Sequence, residues 1–207
     1  MVRDEERQAR ALEGPIVGGL PEVPGIIAAM RLGPGLALHL RGLADELLVN
    51  DFPGATLTRA ERELLATAVS AGNDCFYCMD SHGAFAGELM ARAGSSPAEV
   101  ATTVAAVKAG GAVGVSAKVE ALLSIACTVR EGGRALTRAD VERALAAGAS
   151  DADTQLAVMI AAAFCMYNRM VDGFRAVTPA SPDAYQARAR EVAEHGYSDP
   201  RIVSVPR

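Results

Sequence analysis

Apolar positions recur every three to four residues along most of this chain, and Gly, Pro, Ser, Thr and Asp punctuate the periodic stretches. Residues 24–32 predict a short helix ended by Gly33-Pro34. Pro34 opens a second helix to about Asn50, with Leu36, Leu40, Leu43 and Leu47 on one stripe. Residues 51–54 read as a loop. Thr58-Arg-Ala-Glu61 is a capping box, in which hydroxyl and carboxylate satisfy each other's backbone amides, and it starts a helix through Ala71. Gly72 stops that helix, and Asn73 or Asp74 caps the next, which runs to Ala93-Gly94.

Ser96-Pro97-Ala-Glu99 repeats the capping box with Pro at the first helical position, and this helix ends at Gly110-Gly111. Ser116 opens another to about Arg130. Thr137-Arg-Ala-Asp140 starts a short helix ending at Gly148, and Ser150 or Asp151 a long one to about Val177. Pro179 and Pro182 separate it from a last amphipathic helix over 183–194. No segment alternates with period two, so no strands are expected. The prediction is an all-α protein of one domain over 1–207, with an N-terminal arm of about 1–20. A C-terminal tail of about 195–207 is expected to be mobile or to dock a partner.

Half of the 207 residues are hydrophobic, but only 4% are aromatic and none is Trp. Ala, Leu and Val supply the apolar mass, which suits closely packed helices and plausible subunit association. The net charge of −5 comes with no basic cluster, so no nucleic-acid or anionic-membrane surface is expected. Residues 1–7 are charged and no secretory apolar stretch follows. The longest apolar run, 156–167, is too short to span a bilayer and reads as a buried helix. A cytoplasmic protein is expected, and in that reducing compartment a Cys-x-x-Cys is more often catalytic or metal-binding than a structural staple.

The chemistry concentrates in residues 63–82. Cys75 and Cys78 are three apart, His82 follows four later, and Glu63 lies twelve before Cys75. At about 100° per residue, Cys78 lies roughly 60° and His82 roughly 20° to the same side of Cys75, so all three share a helix face with Met79, Phe85, Ala86 and Leu89. Asp80, Ala84 and Glu88 fall opposite. The sulfurs therefore look inward, towards the core or a pocket, at a spacing a disulfide accepts. First-turn amides and the helix dipole favour a thiolate, most directly at Cys75. His82 can reach Cys78 directly or through one water. If the two helices form an antiparallel hairpin, Glu63 comes level with His82 and can hold its tautomer.

The pattern Glu63-x11-Cys75-x2-Cys78-x3-His82 closely resembles the signature of the alkylhydroperoxidase D-like proteins, in the peroxidase-related branch of the carboxymuconolactone decarboxylase superfamily. The resemblance is strongest over 57–86, with looser similarity at 136–141 and 168–174. It implies a helical bundle built around the hairpin that carries the Cys-x-x-Cys, and homo-oligomers, often trimers or hexamers. It further implies hydroperoxide reduction with Cys78 peroxidatic, Cys75 resolving, and His82 and Glu63 as the proton relay. Well-studied members have a further histidine directly before the second cysteine, where this chain has Tyr77. A phenol is a poor base at neutral pH, and the helical wheel turns this one away from Cys75, towards a neighbouring subunit.

No nucleotide-binding glycine pattern is evident, so no cofactor is expected. Electrons would come from an external dithiol, on a thioredoxin-like or lipoyl protein. Structural zinc lacks a second Cys-x-x-Cys or His pair to complete a tetrahedral site. Other readings stay open: an inert core pair, a decarboxylase or isomerase of a small lactone or carboxylate, and a non-enzymatic redox-sensing oligomer. Cys127 and Cys165 read as small apolar residues. The run 159–166 reads as core or subunit interface. Asn168, Arg169 and Asp172 could reach the site, although a local helix network fits them better. His39 and His195 stay unassigned.

Overall fold

The computed structural model describes residues 14–198. Among these, nine α-helices follow one another: α1 (Ile26–Leu32), α2 (Pro34–Leu48), α3 (Arg59–Gly72), α4 (Phe76–Arg92), α5 (Pro97–Lys108), α6 (Ala117–Glu131), α7 (Arg138–Ala146), α8 (Asp151–Phe174) and α9 (Pro182–His195). A single 3-10 turn, Gly133–Ala135, joins α6 to α7. The fold is all-α, as the periodicity predicts. The nearest thing to a strand is an isolated parallel bridge between Pro24 and Val177.

Local chemistry sets most helix starts. Complete capping boxes open α3 (Thr58/Glu61), α5 (Ser96/Glu99), α7 (Thr137/Asp140) and α8 (Ser150/Asp153), so orphan first-turn amides are satisfied in place. Two ends differ from the sequence prediction. α8 stops three residues early, because Arg175 adopts a left-handed conformation (φ 48°, ψ 51°). α4 is capped by neither Asn73 nor Asp74: Cys75 itself is the N-cap residue. The Asn73 side chain turns instead to Asn168 on α8 at 2.9 Å.

The tail also differs, since its first residues are anchored. The backbone amides of Tyr197 and Ser198 donate to the Asp45 carboxylate at 2.6 and 3.0 Å. The rest of the predicted tail, and residues 1–13 of the predicted arm, lie outside the described residues.

α8 runs through the core with Leu156, Ala157, Ile160 and Ala161 completely buried. Each large aliphatic side chain there contributes about 1.5–3 kcal/mol of burial. By length and apolarity α8 could cross a membrane, yet these residues pack against α2, α3 and α6 as a core helix does. The α2 stripe is rotated from its predicted position. Leu40 and Leu47 face inward with Ala37, Ala44 and Leu48, whereas Leu36 and Leu43 are 50% and 38% exposed. The Tyr167 hydroxyl donates to the Leu40 carbonyl at 2.7 Å and fixes α2 on α8 in that rotation.

α3 and α4 form the antiparallel hairpin on which the candidate chemistry sits. Its turn is closed by Asp74 N–H to Ala71 O and Cys75 N–H to Ser70 O, at 3.2 and 3.0 Å, with Asp74 at φ 55°. Asn168 braces the turn from α8, donating to Ser70 Oγ at 3.0 Å while accepting from Asn73. From α6, Arg130 donates to the Gly72 carbonyl and closes the end of α3. Asp153 secures the other end of α3: its carboxylate accepts from Thr56 N, Thr56 Oγ1 and Leu57 N at 2.7–3.0 Å, just before Thr58 starts the helix.

Candidate active site

Glu63 lies about one turn into α3 and is fully buried. His82 lies two turns into α4, with a side chain 12% exposed. The hairpin brings them together, with His82 Nδ1 2.7 Å from Glu63 Oε2. Against an ionised carboxylate, which only accepts, Nδ1 carries the proton and Nε2 is the ring nitrogen left as an acceptor. Phe164 and Phe85 present their edges to the imidazole, at centroid distances of 4.5 and 5.2 Å. The ring is therefore fixed by packing on two sides and by a carboxylate at Nδ1.

Tyr197 completes the arrangement, and the sequence reading missed it. Its hydroxyl donates to Glu63 Oε1 at 2.6 Å and lies 3.3 Å from His82 Nδ1, while its ring stacks at 25° to the imidazole. Burial, then the charge of Glu63, raises its pKa well above the ordinary 10, so it remains a donor. A Gly-aromatic pair directly after an amphipathic helix was the available signal.

Cys75 and Cys78 are both reduced and approach to 3.3 Å. They are 0% and 3% exposed, within an apolar cluster that includes Leu20, Ala28, Val171 and Ala176. The residues before and within α1 thus cover the pair, held by the Pro24–Val177 bridge and a 2.9 Å bond from Gly25 N–H to Val177 O. Gly25 is left-handed (φ 56°), and an added Cβ would fall 2.0 Å from the Tyr77 ring. Tyr77 is consequently enclosed by this chain's own residues, Gly25 and Tyr185, and not turned outward as the helical wheel suggested.

The pKa of Cys75 is pushed far up, first by its hydrogen bond to Cys78, then by burial and by the negative charges of Cys78 and Asp172. Cys75 therefore keeps its proton and donates towards Cys78. A raised pKa at Cys75 runs against the expectation that the helix dipole favours a thiolate there; its causes are first the hydrogen bond to Cys78 and then burial. Among the described residues no hydrogen bond joins His82 to either sulfur, so of the two routes foreseen, direct or through one water, the direct one is absent.

Of the other singled-out residues, Asn168 braces the hairpin, Arg169 bonds the Cys165 carbonyl within its own helix, and Asp172 acts on Cys75 by its charge. Cys127 and Cys165 are half-buried. His39 is exposed, and His195 is exposed with Glu194 3.5 Å away. On the back of α4 a cavity of about 670 Å³ opens between α5 and α9, with the 2.8 Å Asp80–Lys108 ion pair on its wall. None of the four candidate residues borders it. Among the described residues no group of three or more His, Cys, Asp or Glu is arranged to hold a metal ion.

The carboxymuconolactone decarboxylase family model matches residues 42–117, which contain the whole hairpin. The fold is similar to an alkylhydroperoxidase AhpD core, an uncharacterized peroxidase-related protein from Ralstonia eutropha JMP134. The TM-score is 0.66 at 24% identity, over 81% of this chain and 82% of that one. An uncharacterized peroxidase-related protein from Silicibacter sp. TM1040 gives a TM-score of 0.67 at 21% identity, over 87% of this chain and 95% of that one. No curated protein matches the chain.

Proposed function

We propose that this chain, a member of the carboxymuconolactone decarboxylase superfamily with the alkylhydroperoxidase D-like fold, is a thiol-dependent peroxidase. The observation that carries this reading is geometric: two free thiols 3.3 Å apart at the start of the helix that also bears a carboxylate-fixed imidazole.

In the proposed cycle, His82 Nε2 takes the Cys78 proton through one water. The thiolate attacks the terminal oxygen of a hydroperoxide, the O–O bond breaks, and the alkoxide leaves as an alcohol with the proton from His82. Cys78 is now a sulfenic acid. Cys75 displaces its hydroxyl as water, forming the Cys75–Cys78 disulfide, and an external dithiol on a thioredoxin-like or lipoyl protein returns two electrons. Such a cycle suits a reducing, cytoplasmic setting and a homo-oligomer of the kind this superfamily forms. Because both sulfurs are covered, entry requires the segment over them to part from Val177.

The test is peroxide consumption with added dithiol donors. Cys78→Ser should abolish turnover, and Cys75→Ser should trap Cys78 as a sulfenic acid visible by mass. Full turnover in Cys78→Ser would remove the assignment.

One observation favours a second reading, acid–base chemistry on a small lactone or carboxylate. The Tyr197–Glu63–His82 network closes on itself without a bond to either sulfur. Activity on such a substrate that survives the double Cys75→Ser, Cys78→Ser change would select it.

A further inference from the structure

The last turn of α9 and the segment after it are held by Arg59 and Asp45. Arg59, the first residue of α3, donates from both terminal guanidinium nitrogens to the Val192 and Ala193 carbonyls at 2.9 Å, capping the end of α9. Gly196 then turns the chain at φ 74°, where an added Cβ would meet Asp45 Oδ1 at 2.8 Å. The Asp45 carboxylate accepts the next two backbone amides. The side chain that this hook delivers is Tyr197. Its hydroxyl meets the one oxygen of Glu63 that His82 does not use.

We propose that Tyr197 is a positioning residue for the His82–Glu63 pair: its O–H holds Glu63 Oε1, so that Oε2 stays in line with His82 Nδ1. This rests on the reading of that pair as the proton relay. Glu63 is completely buried and its two oxygens have two partners, the imidazole and the phenol. With the phenol gone, Oε1 is a buried carboxylate oxygen lacking a donor. The group then turns to share its remaining partner, which costs the Nδ1 bond its alignment. Burial keeps the phenol protonated, so it serves as a standing donor and takes no proton itself. The ring also packs on His82 and Phe85, and this packing is the effect the test must separate from the hydroxyl.

Tyr197→Phe in the full-length protein keeps the ring and removes only the hydroxyl. Proton–nitrogen NMR should show the His82 Nδ1–H exchanging with water about tenfold faster or more than in wild type. Peroxide kcat should fall about ten- to a hundredfold, with KM changed less than about twofold. Asp45→Asn, which leaves the hydroxyl intact and weakens only the hook, should move the exchange rate the same way by less. Wild-type exchange in a folded Tyr197→Phe protein would mean that Tyr197 merely fills space, and would overturn the proposal. If the wild type consumes no peroxide while the His82 signal still responds to Tyr197→Phe, the peroxidase reading falls and the positioning role stands.

Discussion

Glu63 and His82 are 19 residues apart, and a single tight turn at Asn73–Asp74 sets them 2.7 Å from each other. Gln at position 63 would still accept from Tyr197, but its amide nitrogen would donate to Nδ1 and force the proton onto Nε2. The proposed base would then hold the wrong tautomer. Glu63→Gln is expected to lower peroxide kcat/KM about a hundredfold with little change in melting temperature. A steady-state assay beside a thermal melt checks this, and wild-type kcat/KM in the variant would separate Glu63 from the chemistry.

Three phenols, Tyr167 buried and Tyr77 and Tyr197 half-buried, predict an alkaline weakness. The pKa of Tyr77 is raised to about 12, by burial and then by the charge of Cys78; those of Tyr167 and Tyr197 are raised by burial, then by Asp45 and Glu63 respectively. Above pH 10 the unfolded chain ionises these groups while the folded one retains their protons. Stability is therefore unaffected below about pH 10 and falls above it, by up to about 1.4 kcal/mol per tyrosine per pH unit. Melts at pH 8, 10 and 11, with phenolate absorbance followed in native and denatured protein, measure it. A flat melting temperature across that range would contradict the raised pKa of these hydroxyls.

At the acid end, Asp153 is the sensitive carboxyl. Burial pushes its pKa up, but hydrogen bonds from Ser150, Thr56 and Leu57 outweigh that and hold it at about 2. Its contribution is complete above the ordinary value near 4 and disappears as pH falls towards 2. Asp153→Asn leaves some of these donors unmatched at the entry to α3 and should cost about 2–3 kcal/mol in urea unfolding at neutral pH. The cost should vanish near pH 2; a cost that persists there would point to packing instead.

Gly25 tests the cover over the dithiol. Ala at this position is strained at φ 56° and collides with Tyr77. Gly25→Ala should cost about 1–3 kcal/mol of stability and displace the covering segment. Iodoacetamide labelling of Cys78 should accelerate several-fold; unchanged labelling would show that access runs by another route.

Local signals in the sequence carried most of the fold. The capping boxes at Thr58, Ser96 and Thr137 lie where hydroxyl and carboxylate are three residues apart, and each opens the helix it predicts. The meeting of Glu63 with His82 follows from two helices folding back on each other at Gly72. What local pattern could not supply were effects that depend on distant partners. The orientation of α2 depends on Tyr167, and the preference of Asn73 for Asn168 over a capping role depends on α8. The raised pKa of Cys75 owes most to its neighbour Cys78, but its burial by residues 20–28 and the charge of Asp172 come from distant parts of the chain. Tyr197 reaches Glu63 across 134 positions, beyond any periodic pattern.

The closed cover has a kinetic meaning for the proposed cycle. A hydroperoxide is only a few atoms wide at its reacting end, whereas a protein donor must bring its own sulfur and the surrounding backbone to the disulfide. The reductive half-reaction therefore demands the wider aperture. At saturating donor, throughput should reach a plateau set by the first-order parting of Gly25 from Val177, indifferent to which donor waits outside. Two unrelated dithiol proteins should converge on one ceiling, and separate ceilings would place the limit in sulfur exchange itself.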